Sequence, residues 1–224
     1  MDPKLTAARM ALEEVLKRQP KILGVGSGTT VHKFIDELSR SEFTGKVVST
    51  SFDTTLRLKE KGFEVVDLMS VNRIDVSVDG ADEVSTEPLS LIKGGGAALL
   101  REKVVAELSS FRIYIVDPSK VVEKPCDRGV PIPIEVVPVS LSAVTKNLER
   151  LGVKWSVRTG SGKLGPVITD NGNLVLDLEC NRAWELLEEI KSLNGVAAVG
   201  VFERDLIDLV IVSDGRKYGK DTMQ

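Results

Sequence analysis

Residues 21–30 read KILGVGSGTT, and this stretch decides the fold class. Lys21–Val25 is a short apolar strand. It runs straight into the glycine-rich turn Gly24-Val25-Gly26-Ser27-Gly28-Thr29-Thr30. A helix follows, with Val31, Phe34, Ile35 and Leu38 at i, i+3, i+4 and i+7. A strand that enters a helix through such a turn is the repeating unit of a parallel α/β sheet. The alternation continues downstream with strand Val47–Ser51, helix Thr54–Lys61, strand Phe63–Val66 and strand Ile74–Asp79. A loop then leads to Lys93–Gly96, helix Ala97–Leu108 and strand Phe111–Asp117. Upstream, residues 2–17 form an amphipathic helix capped by Asp2, with Pro3 at its first position and Leu5, Ala8, Leu12, Val15 and Leu16 on one face.

The rhythm changes near Pro125, where prolines 125, 131, 133 and 138 mark a domain crossing. Beyond it the pattern predicts strands 134–139, 153–159, 166–169, 173–179 and 196–202, and helices 141–151 and 183–193. Asp170-Asn171-Gly172 supplies a tight hairpin turn. This order contains the split βαβ repeat of a ferredoxin-like unit, with one strand to spare. Leu209–Val212 then rejoins the first sheet. The expected architecture is α/β: a Rossmann-like, largely parallel sheet domain of residues 1–127 plus 203–224, with a smaller α+β (ferredoxin-like) domain inserted at 128–202.

Composition excludes several function classes. Among 224 residues, 30 Lys and Arg stand against 33 Asp and Glu, a formal net charge of −3. That balance supplies no field to hold nucleic acid or an anionic membrane, so neither is expected as a partner. The longest uncharged apolar run, residues 195–202, falls far short of the roughly 20 residues a membrane span needs. The first twenty residues carry charges throughout and no apolar signal core. His32 is the single histidine, which removes multi-histidine metal sites; it reads as structural. Cys126 and Cys180 are far apart in sequence and form no CxxC. They read as packing or surface residues of a protein in a reducing, cytoplasmic compartment, with neither a disulfide scaffold nor a zinc site. Trp155 and Trp184 read as core of the inserted domain.

Four segments could carry chemistry. The loop through Ser27, Gly28, Thr29 and Thr30 offers helix N–H groups and hydroxyls to an anion. It lacks the third glycine and the downstream acid of a dinucleotide site, and the Gly-Lys-Ser/Thr of a Walker loop, so it suits a single phosphate. A tight strand–helix turn is the alternative. Asp79-Gly80-Ala81-Asp82-Glu83 puts two carboxylates at a strand's carboxyl end, where α/β sheets bind ligands; Asp-Gly is also ordinary turn chemistry. Lys93 precedes Gly94-Gly95-Gly96, an anion-accepting nest at a helix start, and Glu102 follows near the boundary of the apolar face. The alternatives there are a flexible connector and a solvated Arg-Glu-Lys surface. Asp117-Pro118-Ser119-Lys120 ends another strand, and Lys120 is either a phosphate ligand or solvated; Lys4 is bland in isolation. Phosphate donors, two aspartates, two lysines and a glutamate suit proton transfer beside a carbonyl on a phosphorylated polyol.

With these blocks in order, the chain resembles the A-type ribose-5-phosphate isomerase family over essentially its whole length. The resemblance rests on GVGSGTT at 24–30, STS at 49–51, VDGADEV at 78–84, IKGGGAALLREK at 92–103, DPSK at 117–120, PIPIEVVP at 131–138 and TDNGN at 169–173. The loop reads SGTT where the family commonly has TGST, an exchange of hydroxyl for hydroxyl. The resemblance implies interconversion of D-ribose 5-phosphate and D-ribulose 5-phosphate through an enediolate, in the non-oxidative pentose phosphate pathway, with no metal and no organic cofactor. It implies Glu102 as the base, Lys93 at the developing oxyanion, and Asp79 and Asp82 on the sugar hydroxyls. It also implies Ser27, Gly28, Thr29, Thr30, Lys120 and Lys4 at the phosphate, with Gly80, Gly94, Gly95 and Gly96 lining the substrate. A homodimer or homotetramer is expected on the same ground.

Two other classes compete. A non-catalytic sugar-phosphate sensor would keep the phosphate loop, could lose Glu102 and would usually carry a DNA-binding segment. A coenzyme A transferase of related architecture would use its glutamate as a nucleophile, and an acyl-CoA assay separates it.

Overall fold

The computed structural model describes residues 2–162 and 164–219. Met1 and 220–224, the outermost residues of the expected sheet domain, lie outside the described residues, as does residue 163. In chain order the first elements are α1 (Pro3–Arg18), β1 (Ile22–Val25), α2 (Thr29–Leu38), β2 (Lys46–Ser49), α3 (Phe52–Glu60) and β3 (Ile74–Asp79). Next come β4 (Glu83–Thr86), β5 (Leu89–Ile92), α4 (Leu99–Leu108), β6 (Ser109–Val116), β7 (Val121–Val122) and β8 (Ile132–Val136). The remainder is α5 (Leu141–Arg150), β9 (Trp155–Val157), β10 (Leu174–Leu178), α6 (Cys180–Glu185), α7 (Leu187–Lys191), β11 (Val196–Val199), β12 (Val201–Phe202), β13 (Leu209–Val212) and β14 (Lys217–Gly219). The chain divides into two compact units. One takes residues 1–81, 101–121 and 203–224; the other takes 82–100 and 122–202. The segment 82–100, assigned to the sheet domain by sequence pattern, thus groups with the second unit.

The first unit is a six-stranded sheet in the order β14-β13-β6-β3-β1-β2. All its pairings are parallel except β13 with β14. This is the expected Rossmann-like sheet, and β13 rejoins it beside β6 as expected. The strand order reverses around β1, so the switch point where such sheets bind ligands lies between β1 and β3. Val31, Phe34, Ile35 and Leu38 of α2 are buried, as their spacing predicts. In α1 the buried face is Ala7, Ala8, Ala11 and Val15, while Leu16 is exposed. The alanines win because α1 packs on α2, where small side chains let the backbones approach. Asp2 caps α1 through the Lys4 N–H. Phe63–Val66 is not a strand; only Val65 bridges to Val47.

The second unit holds two four-stranded sheets. One runs β11-β8-β10-β9 with every neighbour antiparallel. With α5 after β8, and α6 and α7 after β10, it is the ferredoxin-like split βαβ arrangement expected from the pattern. The spare strand at 166–169 reduces to isolated bridges at Pro166 and Ile168. The predicted helix 183–193 starts at Cys180 and is broken at Leu186. The predicted strand 196–202 splits at Gly200: β11 pairs with β8, and β12 joins the other sheet, β12-β5-β4-β7. The β4–β5 hairpin replaces what read as a plain loop before Lys93.

Two features of this unit were hidden in the sequence. Cys126 and Cys180 form a disulfide, with Cα atoms 5.6 Å apart, which corrects the expectation of two unlinked cysteines. The cause is register: Ile132 pairs with Leu178, so the segments flanking this pair are drawn together across 54 residues of sequence. Glu135 on β8 is fully buried, and its Oε1 accepts hydrogen bonds from Thr169 (2.9 Å), Asn171 (2.9 Å) and Asn173 (2.8 Å). The blocks PIPIEVVP and TDNGN are therefore joined by a polar hub that anchors the turn at Gly172.

Candidate active site

In the first unit the site is built at the carboxyl ends of β1, β3 and β6. Gly26 follows β1, and its N–H donates to Val78 O at 2.9 Å. A Cβ on Gly26 would overlap the Asp79 carboxylate, so only glycine lets that side chain lie against the turn. Asp79 is buried, and its Oδ1 accepts from the N–H of Ser27 (3.1 Å) and of Gly80 (2.7 Å). Ser27 Oγ lies 2.7 Å from Thr50 Oγ1 and 3.0 Å from Ser51 Oγ, which ties the loop to the STS block after β2. Thr54 Oγ1 donates to Gly26 O at 2.7 Å. Gly28 is the N-cap of α2, at φ 101°, and Thr29 and Thr30 open the helix. Lys4 Nζ donates to Thr29 Oγ1 at 2.8 Å, so the lysine that looked bland in sequence stands at the loop. Lys120 lies just past β6 in a short 3-10 turn capped by Asp117, with no hydrogen bond to the loop among the described residues.

Glu102 sits in the first turn of α4 and is only 5% exposed. That burial takes it off a solvated face, while the guanidinium of the neighbouring Arg101 stacks over the exposed Phe52 ring at 4.9 Å. Tyr114 on β6 is buried, and its hydroxyl donates to Leu206 O at 3.0 Å. Burial, then the negative charge of Asp79, push the Tyr114 hydroxyl well above the usual phenol range, with Glu102 adding to the shift and Arg112 opposing it. Tyr114 carried no sequence signal beyond its place in an apolar strand.

The second unit holds the other half of the expected residues. Lys93 follows β5 and is 2% exposed; its ammonium lies 5.5 Å from the Phe202 ring centroid, and its N–H donates to Gly200 O at 2.8 Å. Gly94 is buried, while Gly95 and Gly96 are exposed. Asp82 Oδ2 accepts the Gly95 N–H at 2.8 Å, and a Cβ on Gly95 would stand 2.8 Å from Asp82 Oδ1. Three residues that sequence reasoning missed support this loop. Arg158 Nη1 donates to Gly94 O (2.6 Å) and Gly95 O (3.2 Å). Arg128 Nη1 donates to Asp82 O at 3.0 Å. Glu83, 1% exposed, accepts from the N–H of Cys126 (2.7 Å) and Arg128 (3.0 Å). No local pattern marks Arg128 or Arg158, because their partners lie 46 to 64 residues away.

Sheet, switch point and inserted unit define a Rossmann-like α/β enzyme carrying a ferredoxin-like insertion. The family model described as ribose 5-phosphate isomerase A (phosphoriboisomerase A) matches residues 46–217. The chain belongs to that family, whose members are aldose–ketose isomerases of ribose 5-phosphate. It is 40% identical over 222 residues to ribose-5-phosphate isomerase A of Archaeoglobus fulgidus, covering 95% of this chain and 96% of that protein. The solved ribose 5-phosphate isomerase A of Methanocaldococcus jannaschii superposes with a TM-score of 0.88 at 35% identity, over 98% of this chain and 99% of that one. A D-ribose-5-phosphate isomerase solved in complex with phospho-erythronic acid superposes with a TM-score of 0.87 at 36% identity, over 98% of each chain.

Proposed function

We propose that the chain interconverts D-ribose 5-phosphate and D-ribulose 5-phosphate through a cis-enediolate, with Glu102 as the base. The observation that carries this is a glutamate only 5% exposed in the first turn of α4. In the open-chain aldose the Glu102 carboxylate takes the proton from C2. The electron pair forms the C1–C2 double bond, and the negative charge moves to the carbonyl oxygen, where Lys93 stabilises it. The protonated Glu102 then returns its proton to C1, while the C2 hydroxyl proton passes to the C1 oxyanion, leaving the ketone at C2 and a hydroxyl at C1. One carboxylate serves both carbons from one face. Asp79 and Asp82 hold the sugar hydroxyls, and one of them assists ring opening.

The loop Ser27–Thr30, with Lys4 and Lys120, takes the 5-phosphate, and Gly80 and Gly94–Gly96 line the sugar. A relative that binds phospho-erythronic acid supports a phosphorylated polyol as ligand. The mechanism needs no metal or organic cofactor, and the reaction belongs to the non-oxidative pentose phosphate pathway of the cytoplasm. We propose a homodimer or homotetramer on the family resemblance. The test is Glu102→Gln, which keeps shape and removes the proton acceptor. Turnover in the presence of a chelator should fall by about 10²–10⁴-fold with KM little changed. Exchange of the C2 proton with deuterated solvent should stop. Near-normal turnover and exchange would remove Glu102 from the role of base.

A further inference from the structure

We infer that Arg158, held by Asp177, is a positioning residue for the reaction: it fixes the peptide planes of the Gly94–Gly96 loop and, through them, the Asp82 carboxylate. This rests on the assignment of Asp82 and the glycine loop to the substrate site.

The geometry within the second unit is specific. Arg158, just past β9, is largely buried. Its Nε donates to Asp177 Oδ2 at 2.9 Å and its Nη2 to Asp177 Oδ1, a two-point fork that holds the guanidinium in one plane. Asp177 is on β10, paired with β9. The remaining nitrogen, Nη1, donates to the carbonyls of both Gly94 and Gly95.

A trans peptide points its N–H opposite to its C=O. With Gly94 C=O turned to Arg158, the Gly95 N–H must point the other way, and there it meets Asp82 Oδ2 at 2.8 Å. With Gly95 C=O turned to Arg158, the Gly96 N–H is likewise directed away from the arginine. One guanidinium therefore aims two backbone donors and sets one carboxylate. Two consecutive glycines, the first at φ 103°, leave peptide flips open at low cost. A flipped Gly94–Gly95 peptide would present a carbonyl to Asp82 and to any developing oxyanion. The arginine opposes that flip.

The test compares Arg158→Gln, Arg158→Lys and Asp177→Asn with the wild-type chain. Readouts are kcat, KM, and inhibition by inorganic phosphate and by phospho-erythronic acid, whose planar carboxylate resembles an enediolate. Loss of a hydrogen bond to a charged group corresponds to about a 10- to 100-fold effect. Arg158→Gln should lower kcat and weaken phospho-erythronic acid by that range, while inhibition by inorganic phosphate, a probe of the Ser27–Thr30 loop, stays unchanged. Arg158→Lys should recover part of the loss, since an ammonium reaches the carbonyls but cannot make the fork. If Arg158→Gln does not fold, Asp177→Asn, which preserves shape, should show a smaller loss of the same selectivity. Unchanged kcat and phospho-erythronic acid affinity in a folded variant would overturn the inference. So would equal losses for both inhibitors. A wild-type chain that fails to isomerise ribose 5-phosphate would instead overturn the function itself.

Discussion

The loop at Ser27–Thr30 runs directly into α2, the loop at Lys93–Gly96 lies ahead of α4, and the two are held in different ways. The first is secured from neighbouring strand ends of one parallel sheet: Asp79 from β3, and Thr50 and Ser51 from beyond β2. The second is secured from a distance, by Arg158 across 63 and 64 residues and by Asp82, itself braced by Arg128. The segment carrying Arg128 is further tied by the Cys126–Cys180 disulfide. Parallel strands bring successive turns to one edge without further help, so short hydroxyl and carboxylate side chains suffice there. A loop lacking that edge needs long side chains and a covalent link.

The sharpest way to break this comparison is to remove the disulfide. Chain-entropy arguments for a closed loop of this size give about 4 kcal/mol. Reduction, or the paired change Cys126→Ser and Cys180→Ser, should lower stability by about that amount. Hydrogen exchange should then rise in residues 122–202 and stay unchanged in β1, β3 and β6. A uniform rise would mean that the two regions do not differ in what secures them.

A smaller effect separates the two glycine contacts. Gly26→Ala drives a Cβ into a carboxylate whose Oδ1 already serves two backbone donors, and should cost about 3 kcal/mol, the upper part of the overpacking range. Gly95→Ala meets the end of the Asp82 side chain at 2.8 Å and should cost about 1 kcal/mol by rotation of that carboxylate. Denaturant titration of the two variants checks the order; equal costs would show the first loop to be no tighter than the second.

The smallest effect lies away from both loops. The Arg18 guanidinium holds the Glu14 carboxyl down at about 2 against burial, with Lys217 assisting. A depressed folded-state pKa stabilises above the unfolded value of 4.5, and the contribution fades as pH falls from there toward about 2. After solvent screening it amounts to about 1 kcal/mol. Glu14→Gln should therefore be less stable than wild type at neutral pH and equal to it near pH 2. A constant gap across that range would contradict the assignment.

Legibility followed sequence separation. The strand–turn–helix at residues 21–30, the apolar stripe of α2, the return of β13 and the ferredoxin-like order were all readable, because each is written as local periodicity and turn chemistry. The burial of Glu102 was only half readable: its place near the apolar face was visible, but Arg101 stacking on Phe52 was not. The β4–β5 hairpin was missed because Thr86-Glu87-Pro88 looks like any polar loop until its strands pair. The strands expected at 63–66 and 166–169 failed for the opposite reason, since apolar residues there found no partner strand beyond single bridges.

By itself, the sequence determined a parallel α/β sheet with an inserted α+β unit, a glycine-rich strand–helix turn and an acidic block at a strand end. Short-range sterics, helix period and the N–H groups at a helix start suffice to specify those. Only the tertiary structure decided that Cys126 meets Cys180, that Glu135 gathers Thr169, Asn171 and Asn173, and that Arg158 reaches Gly94 and Gly95. Those contacts depend on which strands pair and in what register, since a slip of one residue turns every side chain to the other face, and the paired segments lie far apart in sequence.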